Sequence, residues 1–299
     1  MPFSAPLCGS NNFFHGDFPM PQFTFHMLNV FAEKPLSGDP LIVFSCDELP
    51  NPEICQALAY QMGGTEVAFL NSKTRDLYCY GPQYSLPFSG RALIGAAAIL
   101  RHDDPQFQSG TITTASGKTQ VEYVHEAYSF IGPAGSTRPC ERGHLEVAQA
   151  LDIAARDIIH PILFVDSGIE QLMVQVRSRQ SVLQAKPHPP LLAHCLLSPK
   201  ALVQATIWSL EGELVTLRCF SADPFQVSED FGSGTAAANI ASYLLATGSK
   251  TPLQFKIEQG HTIQKLISRL SILNVKIDLQ LQVHVSGKVS YLGQGIIKL

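Results

Sequence analysis

Charge is scarce in this sequence. Lysine, arginine, aspartate and glutamate make up 15% of its 299 residues, against roughly 25% in an average soluble chain. The 21 basic and 25 acidic side chains leave a formal charge of -4, and no run of lysine or arginine supplies the cationic footprint that phosphate contacts need. Nucleic acid is therefore not expected as a partner. No apolar stretch approaches the roughly 18 residues of a membrane span, so no membrane partner is expected either. Seven cysteines (Cys8, Cys46, Cys55, Cys79, Cys140, Cys195 and Cys219) occur without a CxxC pair, which excludes a zinc ribbon and a redox pair and points to a reducing, cytoplasmic setting. His188 and His194 stand six residues apart and do not make an HExxH-type pair, so no metal is expected. A GxSxG elbow and a Walker loop are also missing.

What is present is an apolar chain, 45% AVILMFWYC, long enough for two domains with a sizeable core. Residues 1–21 carry no strand pattern and are read as a disordered leader. Aromatic and β-branched residues from Phe23 to Phe31 and from Leu41 to Phe44 flank a Pro- and Gly-shaped turn, which predicts a hairpin. Asn51, Pro52 and Glu53 are the cap, first residue and first turn of a helix ending at Gly63-Gly64. A strand is expected at Glu66 to Leu70. Arg91 to Leu100 and Ala236 to Leu245 are apolar all round, the mark of buried helices. Gly132 to Pro139 is rich in Pro and Gly and reads as a linker. The expected division is an N-terminal domain of residues 22–131 and a C-terminal domain of residues 132–285, with a last strand, 286–299, returning to the first.

Each buried helix follows a turn of small residues, Phe88-Ser-Gly-Arg-Ala in one half and Gly232-Ser-Gly-Thr-Ala in the other. Small residues at a helix start let an anion approach the free N–H groups and the positive end of the dipole. Gly90 and Arg91 in the first half, and Gly232, Ser233, Gly234 and Thr235 in the second, are therefore candidate ligand-binding residues. Arg91 is oddly placed at the positive end of a helix, as if an anion were expected beside it. The GxGxxA shape of Gly232 to Ala237 does not follow a strand directly, as a dinucleotide loop must. Glu66 stands in nearly uncharged sequence, a setting that suits a general acid and base. Asp230, three residues before Ser233, either caps the second helix or reaches the same cleft.

Taken in order, these segments resemble the PhzF-like proteins, named for the phenazine-biosynthesis isomerase, which share the diaminopimelate-epimerase fold. Val30 to Val43, containing Gly38-Asp-Pro40, is similar to the family's "VFT..P..GNPLAV". Thr65 to Phe69 is similar to "SETTF", Leu86 to Gly90 to "LPFAGHP", and Glu229 to Ala236 to "EDPATGSA". Further likeness lies in Asp166 to Val174 and in Gly287 to Leu299. The resemblance implies an α+β fold of two similar domains, each a curled mixed β-sheet around a central helix, with the site between them. It assigns the catalytic carboxylate to Glu66, a conserved aspartate to Asp230 and a substrate-binding position to Thr235. It further implies a homodimer and cofactor-free isomerisation, in which Glu66 takes a proton from carbon and returns it elsewhere on a small carboxylate. Arg91 stands where the family has His, Phe231 where it has Pro, and Lys265 to Ser268 where it has "GRPS". Such departures fit a changed substrate, or a binding protein of the same fold without catalysis. The two-thiol chemistry of amino-acid racemases is not expected, because no cysteine lies near Glu66 or Phe231 in the sequence.

Overall fold

The computed structural model describes residues 22–63, 66–200, 202–261 and 269–299. The expected leader, Thr65 and the segment 265–268 lie outside the described residues. The hairpin forms as the alternation predicts, from β1 (Gln22–Val30) and β2 (Asp39–Cys46). Helix α1 (Pro52–Gln61) begins where Asn51 Oδ1 accepts from Ile54 N at 2.9 Å. There follow β3 (Glu66–Asn71), β4 (Leu77–Tyr80), β5 (Ser85–Leu86) and α2 (Gly90–Asp103). Strands β6 (Ser109–Thr114), β7 (Gly117–Val124), β8 (Ala127–Ile131) and β9 (Ser136–Pro139) lead to α3 (His144–Leu151).

The second half runs through β10 (Ile158–Asp166), β11 (Glu170–Val176), α4 (Arg179–Gln184) and α5 (Pro189–Cys195). It continues with β12 (Val203–Glu211), β13 (Leu214–Ala222), β14 (Val227–Glu229) and α6 (Gly234–Ala246). Strands β15 (Leu253–Gln259), β16 (Ser271–Ile277), β17 (Val283–Gly287) and β18 (Val289–Lys298) complete it.

Among the described residues the strands form two mixed sheets. The smaller has the order β18-β1-β2-β3-β4-β5, and the larger β6-β7-β8-β17-β16-β15-β13-β12-β11-β10-β9, with β14 paired to β13. At the boundary expected after Ile131 the large sheet is continuous, since Tyr128 to Ile131 pair with Gly287 to His284. The chain's last strand, β18, pairs with β1 from Val30↔Val289 to Gln22↔Lys298. The segment read as a linker needs correction: its second half is β9, which pairs with β10 from Ser136↔Asp166 to Pro139↔Leu163. Backbone at a sheet edge tolerates the Pro that makes such a segment look like a loop.

Each half wraps a buried helix. Ten of the fourteen residues of α2 and eleven of the thirteen of α6 are buried, and both helices belong to one apolar core that includes Phe88, Phe130, Trp208 and Tyr243. The two helices meet N-terminus to N-terminus at a pair of glycines. A Cβ on Gly90 would lie 2.7 Å from Phe130 Cζ and 3.0 Å from Gly234 Cα, and one on Gly234 would lie 3.1 Å from Gly90 Cα. Backbone cannot retreat as a side-chain tip can, so Gly90→Ala must push the two helix starts apart. We expect a loss of about 2 kcal/mol, seen as a lower midpoint in a urea titration with an unchanged slope. An unshifted midpoint would mean that the two starts are not in contact.

Candidate active site

Every residue singled out from the sequence lines one cavity of about 500 Å³: Glu66, Gly90, Arg91, Asp230, Gly232, Ser233, Gly234 and Thr235. The two helix starts form its floor. Ser89 Oγ accepts from Ala92 N and Ser233 Oγ from Ala236 N, each at 3.1 Å. These are standard N-caps, and they leave the N–H groups of Gly90 and Arg91, and of Gly234 and Thr235, outside their helices' own hydrogen-bond ladders. Asp230 is therefore not the cap of α6, one of its two expected roles. It sits in the cavity wall instead.

The turn before α6 is fixed from both sides. Asp230 N donates to Cys219 O at 3.0 Å, and Gln259 Nε2 donates to Asp230 O at 2.9 Å while its Oε1 accepts from Ser233 N at 2.8 Å. Beside it, Arg218 grips Glu229 through Nε and Nη2 at 2.9 and 2.7 Å and donates through Nη1 to Ala185 O at 2.6 Å. Gly232 lets the turn pass close to its neighbours, since a Cβ there would lie 2.6 Å from Ser271 Oγ and 3.3 Å from Asp39 Cβ. Gln204 Nε2 reaches Asp230 Oδ2 at 3.5 Å, and Gln204 Oε1 accepts from Gln171 Nε2 at 2.8 Å. Asn239 of α6 donates to Gln171 Oε1 at 3.0 Å. A buried chain of amides thus ties Asp230 to the helix it precedes.

The sequence around Glu66 is nearly uncharged, but its surroundings in space are not. Arg91 donates to Glu66 Oε2 through Nε at 3.2 Å and Nη2 at 2.7 Å, and through Nη1 to Asp39 Oδ2. These side chains are 15% exposed for Arg91, 5% for Glu66 and 2% for Asp39, so the contacts are buried and not surface ones. Parallel pairing of β2 with β3, Leu41↔Glu66, is what sets Asp39 beside Glu66. Arg91 was expected as a cation for a ligand; its guanidinium is already held by two carboxylates of its own chain. Glu66 Oε1 is buried and finds no partner among the described residues.

Burial acts on the whole cluster. It pushes the Asp39 carboxyl up to about 7, against the pull of Arg91, and the charges of Asp230 and Glu66 push the same way. Burial also raises Asp230, with Arg91 opposing. Burial alone would lower the Arg91 pKa, but Asp39, Glu66 and Asp230 hold it above its ordinary value, so Arg91 stays charged and carries no proton traffic. Cysteines do lie close by in space, contrary to the sequence spacing. Cys219 O accepts from Asp230 N, and the Cys79 thiol lies within the fields of Glu66 and Arg91. Burial pushes both thiols well above the ordinary range, which leaves neither a thiolate near neutral pH. Among the described residues no group of three or more His, Cys, Asp or Glu side chains could hold a metal ion.

A family model for phenazine biosynthesis-like proteins matches residues 28–295. The chain belongs to this PhzF family. An uncharacterized isomerase of Pasteurella multocida is 30% identical over 289 residues, covering 91% of this chain and 93% of that protein. The trans-2,3-dihydro-3-hydroxyanthranilate isomerase of Pseudomonas chlororaphis is 27% identical and covers 91% of this chain and 98% of its own length. Among solved structures, a PhzF-family protein of Bacillus anthracis superposes with a TM-score of 0.75 at 20% identity, covering 94% of this chain and all of that one. A hydroxyproline epimerase of Agrobacterium vitis, solved with trans-4-hydroxy-L-proline bound, gives 0.61 at 12% identity over 93% of each chain. The fold is thus the α+β, two-domain arrangement of PhzF proteins and related epimerases, and this family member stands among isomerases of small molecules. No helix among the described residues is long and apolar enough to cross a membrane.

Proposed function

We propose that this PhzF-family chain is a cofactor-independent isomerase that moves a proton on a small carboxylate-containing metabolite, in the cleft between the two halves. Glu66 is the acid and base; Asp230 shares the catalytic work, and the starts of α2 and α6 hold the acid group of the ligand. The observation that carries this reading is the state of Glu66. One oxygen is fixed by Arg91, while the other is buried and finds no partner among the described residues. An unsatisfied carboxylate oxygen in a buried site costs free energy unless a ligand completes it, and a carboxylate locked in one orientation is what proton abstraction requires. The two sets of helix N–H groups supply fixed dipoles for the negative charge that develops when carbon loses its proton.

The test is incubation of the protein with a metabolite extract in deuterated water, with mass spectrometry to find compounds that change or gain deuterium. Conversion by the wild type that is absent with Glu66→Gln supports the reading and supplies the substrate. Deuterium uptake that persists undiminished with Glu66→Gln overturns it. Silence from both proteins across independent extracts favours the alternative, a binding protein of the same fold. We expect trans-2,3-dihydro-3-hydroxyanthranilate, the substrate named for the Pseudomonas relatives, to be turned over poorly here, because Arg91 stands where the family motif has a titratable His.

A further inference from the structure

Four carboxylates, Asp39, Glu66, Glu229 and Asp230, line the same cavity as Arg91; Glu229 is gripped by Arg218, which leaves Asp39, Glu66 and Asp230 to share the Arg91 guanidinium. One cation balances one anion, so full ionisation would leave two uncompensated negative charges in a site shielded from water. Crowded carboxyl groups resolve this by retaining a proton. Which of the three retains it follows from their partners. Glu66 receives two hydrogen bonds from Arg91 and so takes the larger share of the one guanidinium. Asp230 exposes more surface than Asp39, and Gln204 Nε2 reaches its Oδ2 at 3.5 Å, which together with Arg91 opposes the upward push of burial. Asp39 is 1% exposed, receives a single bond from Arg91, and packs its Cβ against the Gly232 turn. Among the described residues, Arg269 is turned to the Gly38 carbonyl and Asn29, and Arg218 to Glu229 and the Ala185 carbonyl.

We propose that Asp39 is a second proton-carrying group of the cleft, holding at neutral pH the proton that Arg91 cannot supply. The proposal rests on the assignment of Glu66 as base and alters one step of it. The substrate C–H bond breaks, its proton passes to the Glu66 carboxylate, and the electron pair moves into the conjugated system. The Asp39 O–H bond then breaks and its proton goes to the atom where that electron pair arrives. Glu66 afterwards releases its proton to water in the cleft and Asp39 takes one from it. Substrate and protein end with the number of protons with which they began. The raised Asp39 pKa, about 7, fits a group that is protonated when the reaction starts and ionised after it.

The decisive measurement needs no substrate. Protein labelled with carbon-13 at the aspartate carboxyls is titrated by NMR from pH 4 to 9, as wild type, Asp39→Asn, Asp230→Asn and Glu66→Gln. We expect one carboxyl resonance with a midpoint near 7, absent in Asp39→Asn, present in Asp230→Asn, and displaced to lower pH in Glu66→Gln, where a like charge has been removed. Should every aspartate finish titrating below about pH 5.5, or should the high midpoint vanish in Asp230→Asn and persist in Asp39→Asn, the proposal is overturned. A second readout uses the compound found in deuterated water. Asp39→Asn should convert it about 10²-fold more slowly while Glu66-dependent deuterium uptake at the donor carbon continues. Failure of the Glu66 assignment removes that uptake's dependence on Glu66 and leaves the titration untouched, so the two failures are distinguishable.

Discussion

Glu66→Gln is expected to slow turnover by about 10³-fold, within the range lost when a positioned acid–base group is removed, while shifting the melting temperature by only a few degrees. The two parts of this expectation have separate causes. The amide has the shape of the carboxylate, and its oxygen can still accept from Arg91 Nη2, now 2.7 Å from Glu66 Oε2. Loss of the charge weakens the attraction to Arg91, but it also removes repulsion from Asp39 and Asp230, both of which feel the Glu66 charge. The opposed electrostatic terms leave the fold nearly as stable, whereas an amide cannot take a proton from carbon at any accessible pH. Steady-state rates and thermal melts on the same preparation check both. A rate within tenfold of wild type at an unchanged melting temperature would remove Glu66 from the mechanism. A rate loss accompanied by collapse of the fold would make it a structural residue instead.

The parts of this molecule legible in the sequence are those written locally. Helices α2 and α6 announce themselves because a helix buried on all sides has no polar face, and the Ser-Gly turns before them carry the caps at Ser89 and Ser233. The glycine pair at which the helices meet could be suspected from Gly90 and Gly234, but the contact itself joins positions 144 residues apart in number. Alternation in Leu253 to Glu258 marks β15 and in Leu273 to Ile277 marks β16, two strand signals outside the segments assigned from the sequence. Helices α4 and α5 are too short, at six and seven residues, to show a helical period. The site itself was half legible. Glu66, Arg91 and Asp230 stood out by residue type and position, but their grouping depends on strand register, and Asp39 enters only through the parallel β2–β3 pairing. One signal could have found it. The motif Gly38-Asp-Pro40 has Asp where the family pattern has Asn, and Arg91 replaces His, so the chain departs from the pattern twice with opposite charges.

That pairing makes Arg91 the residue whose loss should do most damage to stability. Arg91→Met keeps much of the apolar stem and removes the guanidinium, leaving Asp39, Glu66 and Asp230 in one cavity without the cation that holds them. Removing one partner of a buried ion pair typically costs about 3–5 kcal/mol, and at pH 8 this should lower the melting temperature by roughly 10 °C in a chain of this size. The pH dependence identifies the cause. A carboxyl whose folded pKa is raised stabilises the fold fully below its unfolded pKa, and that contribution is lost as pH rises through the folded value. Asp39 already behaves so in the wild type, losing its contribution between about 4 and 7. Without Arg91, which lowers the pKa values of both Asp39 and Asp230, the folded values rise further and the loss on going to pH 8 is larger. The deficit of Arg91→Met relative to wild type should therefore be smaller near pH 4, where Asp39, with its carboxyl pushed up to about 7, is protonated in both proteins, and should grow toward pH 8. Melting curves across that range are the check. A deficit equal at both ends would trace to lost packing of the arginine stem, and Arg91 would then not be the counter-charge that lets three acidic groups share one cavity.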